Sequence, residues 1–168
     1  MQVNRACEED FPAWLTLALE VEALFGVPLS VDAGFQQALL RNIQRGSAFC
    51  VRQQDGPAGA ALCGGLLFSS KHAPTYELAW LTVGSAWRRM GVGRALVQHV
   101  IALITPPAEL IVTTFVDGEP GGAPARRFYL ELGFVPDEIF SVPTPPGAAR
   151  QRFRKTIQLQ SGAPVPTN

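Results

Sequence analysis

The stretch "RRMGVGRAL" (88–96) constrains the fold of this chain more than any other part of the sequence. It follows a strand-like run, residues 75–83, and it leads into apolar residues at helical spacing. A helix that begins here exposes about four unpaired N–H groups and a partial positive charge. Gly91 and Gly93 leave room for an anion to approach those groups, and the arginines of the stretch add positive charge. The sequence therefore predicts an anion site between a strand and a helix.

Two nucleotide-binding motifs fit this stretch poorly. A P-loop requires a lysine and then a serine or threonine after its last glycine, and here Arg94 and Ala95 follow Gly93. A Rossmann fingerprint requires a third glycine or alanine where this chain has Leu96, and it belongs to a first βαβ unit rather than to mid-chain. The glycines alone leave open a plain helix-capping turn or a phosphate site of another kind.

Two motifs, in this order, resemble those of the GCN5-related N-acetyltransferases (GNAT). "RRMGVG" resembles the R/Q-x-x-G-x-G/A motif with which that family binds the pyrophosphate of acetyl-CoA. "ARRFYLELGF" resembles the family's later A-x-x-x-Y-x-x-x-G-F segment, with Ala125, Tyr129, Gly133 and Phe134 in register. The resemblance covers residues 2–160 and implies an acetyl-CoA-dependent N-acetyltransferase that works by direct transfer in a ternary complex.

The resemblance also implies which residues contact the cofactor. Backbone N–H groups at the end of the strand would contact the acetyl carbonyl and the pantetheine arm, and amides of the glycine loop would hold the pyrophosphate. No metal is expected. The expected cofactor contacts are Leu81, Thr82, Val83, Arg88, Arg89, Met90, Gly91, Val92, Gly93, Arg94, Ala125 and Phe128.

Tyr129 stands where the family often has a catalytic tyrosine, near the sulfur of CoA. A phenol with a pKa of about 10 is a suitable proton donor to a leaving thiolate, whose thiol has a pKa of about 8.5. The neighbouring Phe128 and Leu132 supply an apolar face on the same predicted helix. A tyrosine of the hydrophobic core is therefore the alternative.

Glu77 is the only carboxylate in "TYELAWLTV", at a position where some family members carry a catalytic glutamate. Others carry it two residues later, where this chain has Ala79, and strand alternation predicts that both side chains point to the same side. Glu77 is the candidate base, acting directly or through water on an amine whose pKa is about 10.4. A solvated glutamate is the alternative, and Glu20 and Glu22 of the first helical pattern are second choices.

Two positions depart from the family pattern. Gly122 stands seven residues before Tyr129, where the family often has an asparagine. The sequence "GSAW" precedes Arg88, where a proline is common in the family. One expected contact with the cofactor is therefore missing or made by the backbone instead.

The order of predicted elements is β-α-α-β-β-β-α-β-α-β-β. It indicates an α/β (α+β) fold with a mixed, mostly antiparallel central sheet of six to seven strands and helices on both faces, as in the GNAT-like acyl-CoA acyltransferase fold. We expect one N-acetyltransferase domain over 1–160, a disordered tail over 161–168, and a strand over 75–83 that is buried on both faces or nearly so. The predicted strands are 2–6, 47–52, 58–70, 75–83, 109–116, 134–142 and 153–159, and the predicted helices are 10–25, 30–46, 91–104 and 123–132.

Composition limits the partners of the chain. The formal net charge of +0 gives no basic surplus for nucleic acid. Cys7, Cys50 and Cys63 are widely spaced, which argues against a disulfide framework or a zinc site and suits a reducing cytoplasm. No apolar run reaches the ~18 residues of a membrane span. Composition therefore favours a cytoplasmic protein without nucleic-acid or membrane partners, and the resemblance implies a small-molecule or peptide amine as substrate and allows a homodimer.

The acceptor amine is not specified by the sequence. Polyamines, aminoglycosides, amino acids and protein amines all stay open, as does a non-catalytic acyl-CoA-binding sensor or assembly module. We expect the acceptor to enter between the first two helices and the proline-rich final hairpin. A cleft with Trp80, Phe25, Glu22 and Glu77 would suit a cationic amine with an apolar part.

Overall fold

The computed structural model describes residues 1–26, 28–119, 121–142 and 148–159. Within these ranges the chain forms seven strands and four α-helices, in the order that the sequence predicts. The strands are β1 (Val3–Arg5), β2 (Ala48–Arg52), β3 (Leu62–His72), β4 (Thr75–Val83), β5 (Ala108–Phe115), β6 (Val135–Ser141) and β7 (Ala149–Ile157). The helices are α1 (Phe11–Phe25), α2 (Ala33–Gln44), α3 (Val92–Ala102) and α4 (Ala123–Glu131).

The strands form one mixed sheet in the order β1-β2-β3-β4-β5-β7-β6. β4 and β5 run parallel, and every other neighbouring pair is antiparallel. Helices α1 and α2 pack on one face of the sheet, and α3 and α4 pack on the other. We call these the α1/α2 face and the α3/α4 face. The predicted mixed sheet with helices on both faces is confirmed.

Each face of the sheet buries its own hydrophobic layer. On the α3/α4 face, Leu96 of α3 belongs to the same buried cluster as Leu66 of β3. On the α1/α2 face, Trp14 of α1 and Leu39 of α2 cluster with Leu67 of β3. Successive strand residues thus stabilise opposite helix pairs, and each fully buried side chain of this size contributes about 1.5–3 kcal/mol.

Two glycines of β3 let helices approach the sheet from both sides. A Cβ atom on Gly64 would lie 2.8 Å from Val92 Cγ1, and one on Gly65 would lie 2.6 Å from Trp14 Cη2. Both distances are too short for a real contact. A side chain at either position would therefore push α3 or α1 away from the sheet.

Helix ends follow local signals. Gly26, with φ +69°, ends α1, and Gly133, with φ +78°, follows α4. The side chain of Asp32 caps α2 by accepting a hydrogen bond from the N–H of Phe35 at 2.6 Å. The predicted ends of α1 and α4 at residues 25 and 132 agree with these glycines, whereas α2 begins three residues after its predicted start at residue 30.

Three strand predictions need correction. β3 begins at Leu62, four residues after the predicted start, because the chain turns at 57–60, where the N–H of Ala60 donates to the carbonyl of Pro57 at 3.1 Å. β7 begins at Ala149, four residues before the predicted start. β4 is not buried on both faces, since only Leu78 and Thr82 in it are buried. The predicted tail lies outside the described residues.

A buried ion pair fastens the start of α1 to the end of β2. Arg52 Nε and Nη2 donate to the two carboxylate oxygens of Asp10 at 2.9 and 2.7 Å. The backbone N–H groups of Cys7 and Gly59 each donate to the same carboxylate at 2.9 Å. Burial by itself would raise the pKa of Asp10, but these donors outweigh it and hold the pKa well below its usual range.

Candidate active site

Strands β4 and β5 separate in the middle of the sheet. Thr75–Leu78 of β4 pairs with Glu109–Val112 of β5, and the described residues show no pairing between these strands beyond Leu78. β4 nevertheless continues to Val83, and β5 continues to Phe115 alongside β7. The sheet therefore has an opening between β4 and β5, which we call the β4–β5 opening.

Two peptide units of β4 face this opening. The N–H of Gly84 donates to a carbonyl of β3 at 2.9 Å, so Gly84 and Thr82 direct their backbone groups toward β3. Leu81 and Val83 direct theirs to the opposite side, toward the opening. The carbonyl of Val83 accepts a hydrogen bond there from Arg88 Nε at 3.3 Å.

The N-terminus of α3 lies at the end of β4, across a short loop. Gly91 precedes the helix with φ +84°, a conformation that other residues rarely adopt. The first bond of the helix runs from the N–H of Ala95 to the carbonyl of Gly91, at 2.9 Å. The N–H groups of Val92, Gly93 and Arg94 precede it and have no intrahelical acceptor.

The same loop concentrates positive charge. Arg88, Arg89 and Arg94 are exposed, and none has a carboxylate partner in the part of the chain that the structure describes. Met90 between them is also exposed, at 60%. Free N–H groups and guanidinium groups are the donors that phosphates prefer, so a pyrophosphate fits the chemistry of this loop.

The second glycine of the motif has a packing role that sequence analysis did not predict. Gly93 is buried, and a Cβ atom there would lie 3.1 Å from Phe128 Cζ on α4. Phe128 and Ala125 both pack against the α3/α4 core. Gly93 therefore sets the distance between α3 and α4, while Gly91 sets the conformation of the loop.

Tyr129 faces the core from α4 and is only 6% exposed. Its ring lies 5.2, 5.5 and 6.4 Å from those of Phe128, Phe134 and Phe153. Burial raises the pKa of Tyr129 above its ordinary value, so the hydroxyl stays protonated. Its hydroxyl makes no hydrogen bond with the described residues. Tyr129 thus combines a core ring with a hydroxyl that is free to donate.

The register of β4 against β3 shifts at Ala79. Consecutive residues of β3 pair with Leu78 and Trp80, so Ala79 is the extra residue of a β-bulge. The regular strand alternation from which side chains 77 and 79 were predicted to share one side is therefore interrupted at Ala79. Leu78 and Leu81 face the α3/α4 core, and Glu77 shares the α1/α2 face with Trp80. Glu77 is half-buried, and its carboxylate has no partner in the described ranges.

An aromatic wall stands beside Glu77 on the α1/α2 face. The ring of Trp80 lies 5.5 Å from that of Trp14 and 5.6 Å from that of Phe35. Both indole N–H groups are buried without a partner in the described structure. The expected cleft thus has an apolar wall and an uncommitted carboxylate.

The other carboxylates proposed for this cleft accept hydrogen bonds from backbone N–H groups of loops. The Glu22 side chain accepts a hydrogen bond from the N–H of Ser30 at 2.5 Å, and Glu20 accepts one from the N–H of Ser85 at 2.7 Å. These contacts leave Glu77 as the better candidate for a base. The side chain of Phe25 and the proline-rich connection at 143–147 lie outside the described residues.

Close packing explains the glycine at position 122. A Cβ atom on Gly122 would lie 2.4 Å from the Cβ of Phe115, so an asparagine does not fit there without displacing α4. Arg126, one turn further along α4, donates to the carbonyl of Phe115 at 3.0 Å and to Gln151 Oε1 at 2.6 Å. The start of α4 is therefore fastened directly to β5 and β7.

Sequence analysis missed one group of residues near the site. Arg150, Arg152 and Arg154 alternate along β7 and lie on the α1/α2 face, because Phe153 between them is buried in the α3/α4 core. All three arginines are half-buried. The available signal was the period of two in "RQRFR".

Comparison with known proteins agrees with this fold and with the sequence motifs. A family model described as "Acetyltransferase (GNAT) family" matches residues 13–134. No curated protein matches the chain significantly. Among the described residues, no helix is long and apolar enough to cross a membrane.

Solved structures share the fold over nearly the whole chain. A GNAT-family acetyltransferase from Bacillus cereus ATCC 10987 has a TM-score of 0.71 at 15% identity and covers 95% of this chain and 98% of its own. The ribosomal-protein-alanine N-acetyltransferase of Brucella melitensis has a TM-score of 0.70 at 18% identity, with 94% and 100% covered. An aminoglycoside 6′-N-acetyltransferase complexed with coenzyme A has a TM-score of 0.70 at 14% identity, with 95% and 99% covered.

Proposed function

Because the chain belongs to the GNAT acetyltransferase family, we propose that it transfers an acetyl group from acetyl-CoA directly to a primary amine in a ternary complex. One observation carries this proposal: the β4–β5 opening leads to the N-terminus of α3 and its unpaired arginines. A molecule with a pyrophosphate and a thioester at the end of a long arm matches that path. A neighbour of the same fold is complexed with coenzyme A, which supports the choice.

Residues from three segments would hold acetyl-CoA, which supplies the acetyl thioester. The loop from Arg88 to Arg94 offers backbone N–H and guanidinium groups to the pyrophosphate. Leu81 and Val83 offer backbone groups to the acetyl carbonyl and the pantetheine arm, while the backbone of Thr82 is directed at β3. Ala125 and Phe128 would line the α4 side of the path.

Glu77 is the proposed base. An amine with a pKa of about 10.4 arrives as an ammonium ion and must lose a proton before its nitrogen attacks the acetyl carbon. Glu77 lies on the α1/α2 face beside the opening, and its carboxylate has no other partner in the described structure. It would accept this proton directly or through a water molecule.

Tyr129 is the proposed acid. As the nitrogen–carbon bond forms, the carbon–sulfur bond breaks and the electron pair goes to sulfur, which then takes up a proton. Burial keeps the Tyr129 hydroxyl protonated by raising its pKa, and the residue belongs to the α3/α4 face, the face on which the loop before α3 lies. It would donate that proton to the thiolate, and the second proton that the nitrogen loses on becoming an amide would restore the phenol through solvent.

Ligand-dependent thermal shifts and a CoA-release screen over an amine panel test this function. Acetyl-CoA should raise the melting temperature, because a ligand that binds the folded protein at a hundred times its Kd adds about 2.7 kcal/mol to the free energy of unfolding. NAD, which the site is not expected to bind, should leave the melting temperature unchanged. At least one class of amine should release CoA. Stabilisation by NAD alone would refute the proposal. Stabilisation by acetyl-CoA without CoA release from any amine would favour a non-catalytic sensor or assembly module.

A further inference from the structure

The β-bulge in β4 brings the aromatic wall of the α1/α2 face next to the candidate base. Trp80 follows the bulge residue Ala79, where the β4–β5 opening begins. Glu77 and Trp80 pair with Ser69 and Leu67, which are two residues apart on β3. Because the bulge adds one residue to β4, both side chains lie on the same face, with their Cα atoms about 7 Å apart.

The wall presents an apolar and firmly held surface beside the opening. Trp14 is fully buried, whereas Trp80 and Phe35 are half-buried and keep part of their rings accessible. The ring of Trp80 is held between the other two. Ala79, which precedes Trp80, is exposed and carries only a methyl group. A ligand that packs against Trp80 therefore immobilises few new side chains.

The carboxylates of the cleft leave one uncommitted acceptor. Glu20 and Glu22 already accept hydrogen bonds from the backbone N–H groups of Ser85 and Ser30. Glu77 makes no such bond with any residue that the structure describes. An ammonium group that enters the cleft therefore has one free carboxylate, and the space next to that carboxylate is apolar.

The arginines of β7 share this face but are separated from Glu77 by β5. Each of them has a partner of its own, so recognition of the acceptor beyond its amine depends on the aromatic wall. Arg154 pairs with Glu109 and Asp137, Arg152 pairs with Glu138, and Arg150 lies 4.7 Å from the ring centroid of Phe115.

We propose that the acceptor is a primary amine joined by a short link to an apolar group, as in an arylalkylamine. Its ammonium group would lie at Glu77 and its apolar group against Trp80 and Phe35. Trp80 is then the residue that selects the acceptor, while Glu77 and Tyr129 perform the chemistry. Polyamines are disfavoured because a second ammonium group would lose its hydration against the rings. This inference rests on the proposed function.

The experiment compares amines that differ only in the part that would contact the wall. We would measure kcat/KM for CoA release with two pairs of acceptors. 2-Phenylethylamine and ethylamine differ in the ring, and hexylamine and 1,5-diaminopentane differ in whether the far end is a methyl or an ammonium group. The more apolar amine of each pair should be favoured by about tenfold or more, since a single methylene in an apolar pocket is already worth about tenfold.

Substitutions of Trp80 test whether the wall is the source of this preference. Trp80→Ala should remove most of the preference for the ring, and Trp80→Phe should keep part of it. The preference is a ratio measured within one variant, so it does not depend on how much of that variant is folded. Trp87 provides the matched control, because it is also half-buried but packs on the α3/α4 core. Trp87→Ala should leave the ratio unchanged.

A binding measurement confirms that Trp80 acts on the acceptor side alone. The rise in melting temperature that acetyl-CoA produces should be the same in Trp80→Ala as in the wild type. A smaller rise in the variant would place Trp80 at the cofactor and overturn its role in selecting the acceptor.

The outcomes separate this inference from the proposed function. Equal kcat/KM within either pair would overturn the inference and leave the acetyltransferase proposal intact. The same holds if the preference survives in Trp80→Ala, or if only spermidine, an aminoglycoside or a peptide releases CoA. CoA release from no acceptor, despite binding of acetyl-CoA, would overturn the proposed function and the inference with it.

Discussion

Removing the hydroxyl of Tyr129 distinguishes its two possible roles, which are proton donor to the thiolate and aromatic residue of the core. Tyr129→Phe keeps the ring among Phe128, Phe134 and Phe153, so we expect an unchanged melting temperature. It removes the proposed proton donor, so kcat should fall about a hundredfold while KM for acetyl-CoA stays the same. Steady-state kinetics of CoA release provide the measurement.

The other tyrosine of the chain is the matched control. Tyr76 is half-buried in β4 and stacks on Phe68 with a centroid distance of 5.7 Å. Tyr76→Phe also deletes one phenolic hydroxyl, but on a residue without a proposed role in catalysis. Its kcat should therefore equal that of the wild type. Wild-type kcat in Tyr129→Phe would show that Tyr129 is a tyrosine of the core and nothing more.

The substitution Gly122→Asn tests whether packing requires the glycine that stands where the family often has an asparagine. Gly122→Asn restores the residue common in the family, but its Cβ would collide with Phe115 at 2.4 Å. We expect a loss of about 1–3 kcal/mol in the free energy of unfolding and no gain in affinity for acetyl-CoA. Urea denaturation and isothermal titration measure these quantities.

Gly118 provides the comparison for that substitution. It has φ +79°, which asparagine tolerates better than most residues, and a Cβ atom at this position would meet nothing within 4 Å. Gly118→Asn should therefore cost less than Gly122→Asn. If Gly122→Asn instead unfolds like the wild type and binds acetyl-CoA more tightly, the packing explanation fails.

Elements of this chain were predictable where their signals are local. The start of α3 follows from Gly91, the cap of α2 from Asp32, and the end of α4 from Gly133. The bulge in β4 was not predictable, because Ala79 is neither a glycine nor a turn residue. Its place is decided by pairing with β3, which is a long-range interaction, so the sequence pattern could not show that strand alternation breaks between Leu78 and Trp80.

The loop before α3 should bind its ligand mainly through charge. Replacing Arg88 and Arg89 by glutamine removes two exposed guanidinium groups without touching the core. We expect KM for acetyl-CoA to rise about tenfold, the value of a charged hydrogen bond. The dependence of KM on salt should also weaken, because exposed charges are screened over about 10 Å at 0.1 M ionic strength. Kinetics over a series of NaCl concentrations measure both effects.

Arg127 is the control for this double substitution. It is an exposed arginine on the same face of the sheet, where it pairs with Glu131 one turn away on α4. Arg127→Gln should change neither KM nor its salt dependence. An equal rise in KM in the Arg127 variant would point to the overall charge of the protein rather than to the loop.

The whole molecule depends on contacts that link distant parts of the sequence. Asp10 and Arg52 are 42 residues apart, and no local pattern marks them as partners. The same limitation hid the arginines of β7, whose position relative to Glu77 is set by the strand order. The two sequence motifs identified the family because each is a local segment, whereas the acceptor side of the site is assembled from several strands and helices.

The ion pair of Asp10 and Arg52 should stabilise the fold strongly as a pair. Asp10→Asn or Arg52→Met leaves the other group buried and unpaired, so each should cost about 3–5 kcal/mol in the free energy of unfolding. The double variant should lose less than the sum of the two. Additive losses would show that the two groups act independently. The exposed pair on α4 offers a contrast, because Arg127→Gln should cost at most about 1 kcal/mol.

The same pair predicts how stability changes in acid. In the unfolded chain Asp10 titrates with a pKa of about 3.9, whereas in the folded protein its donors hold the pKa well below that value. The stabilisation is therefore complete above about pH 4 to 5, and it is lost as the pH falls, because the unfolded state takes up a proton that the folded state excludes. Urea denaturation at a series of pH values should show the advantage of wild type over Asp10→Asn shrinking below about pH 4. A constant difference between the two proteins across this range would show that the depressed pKa of Asp10 contributes nothing to folding.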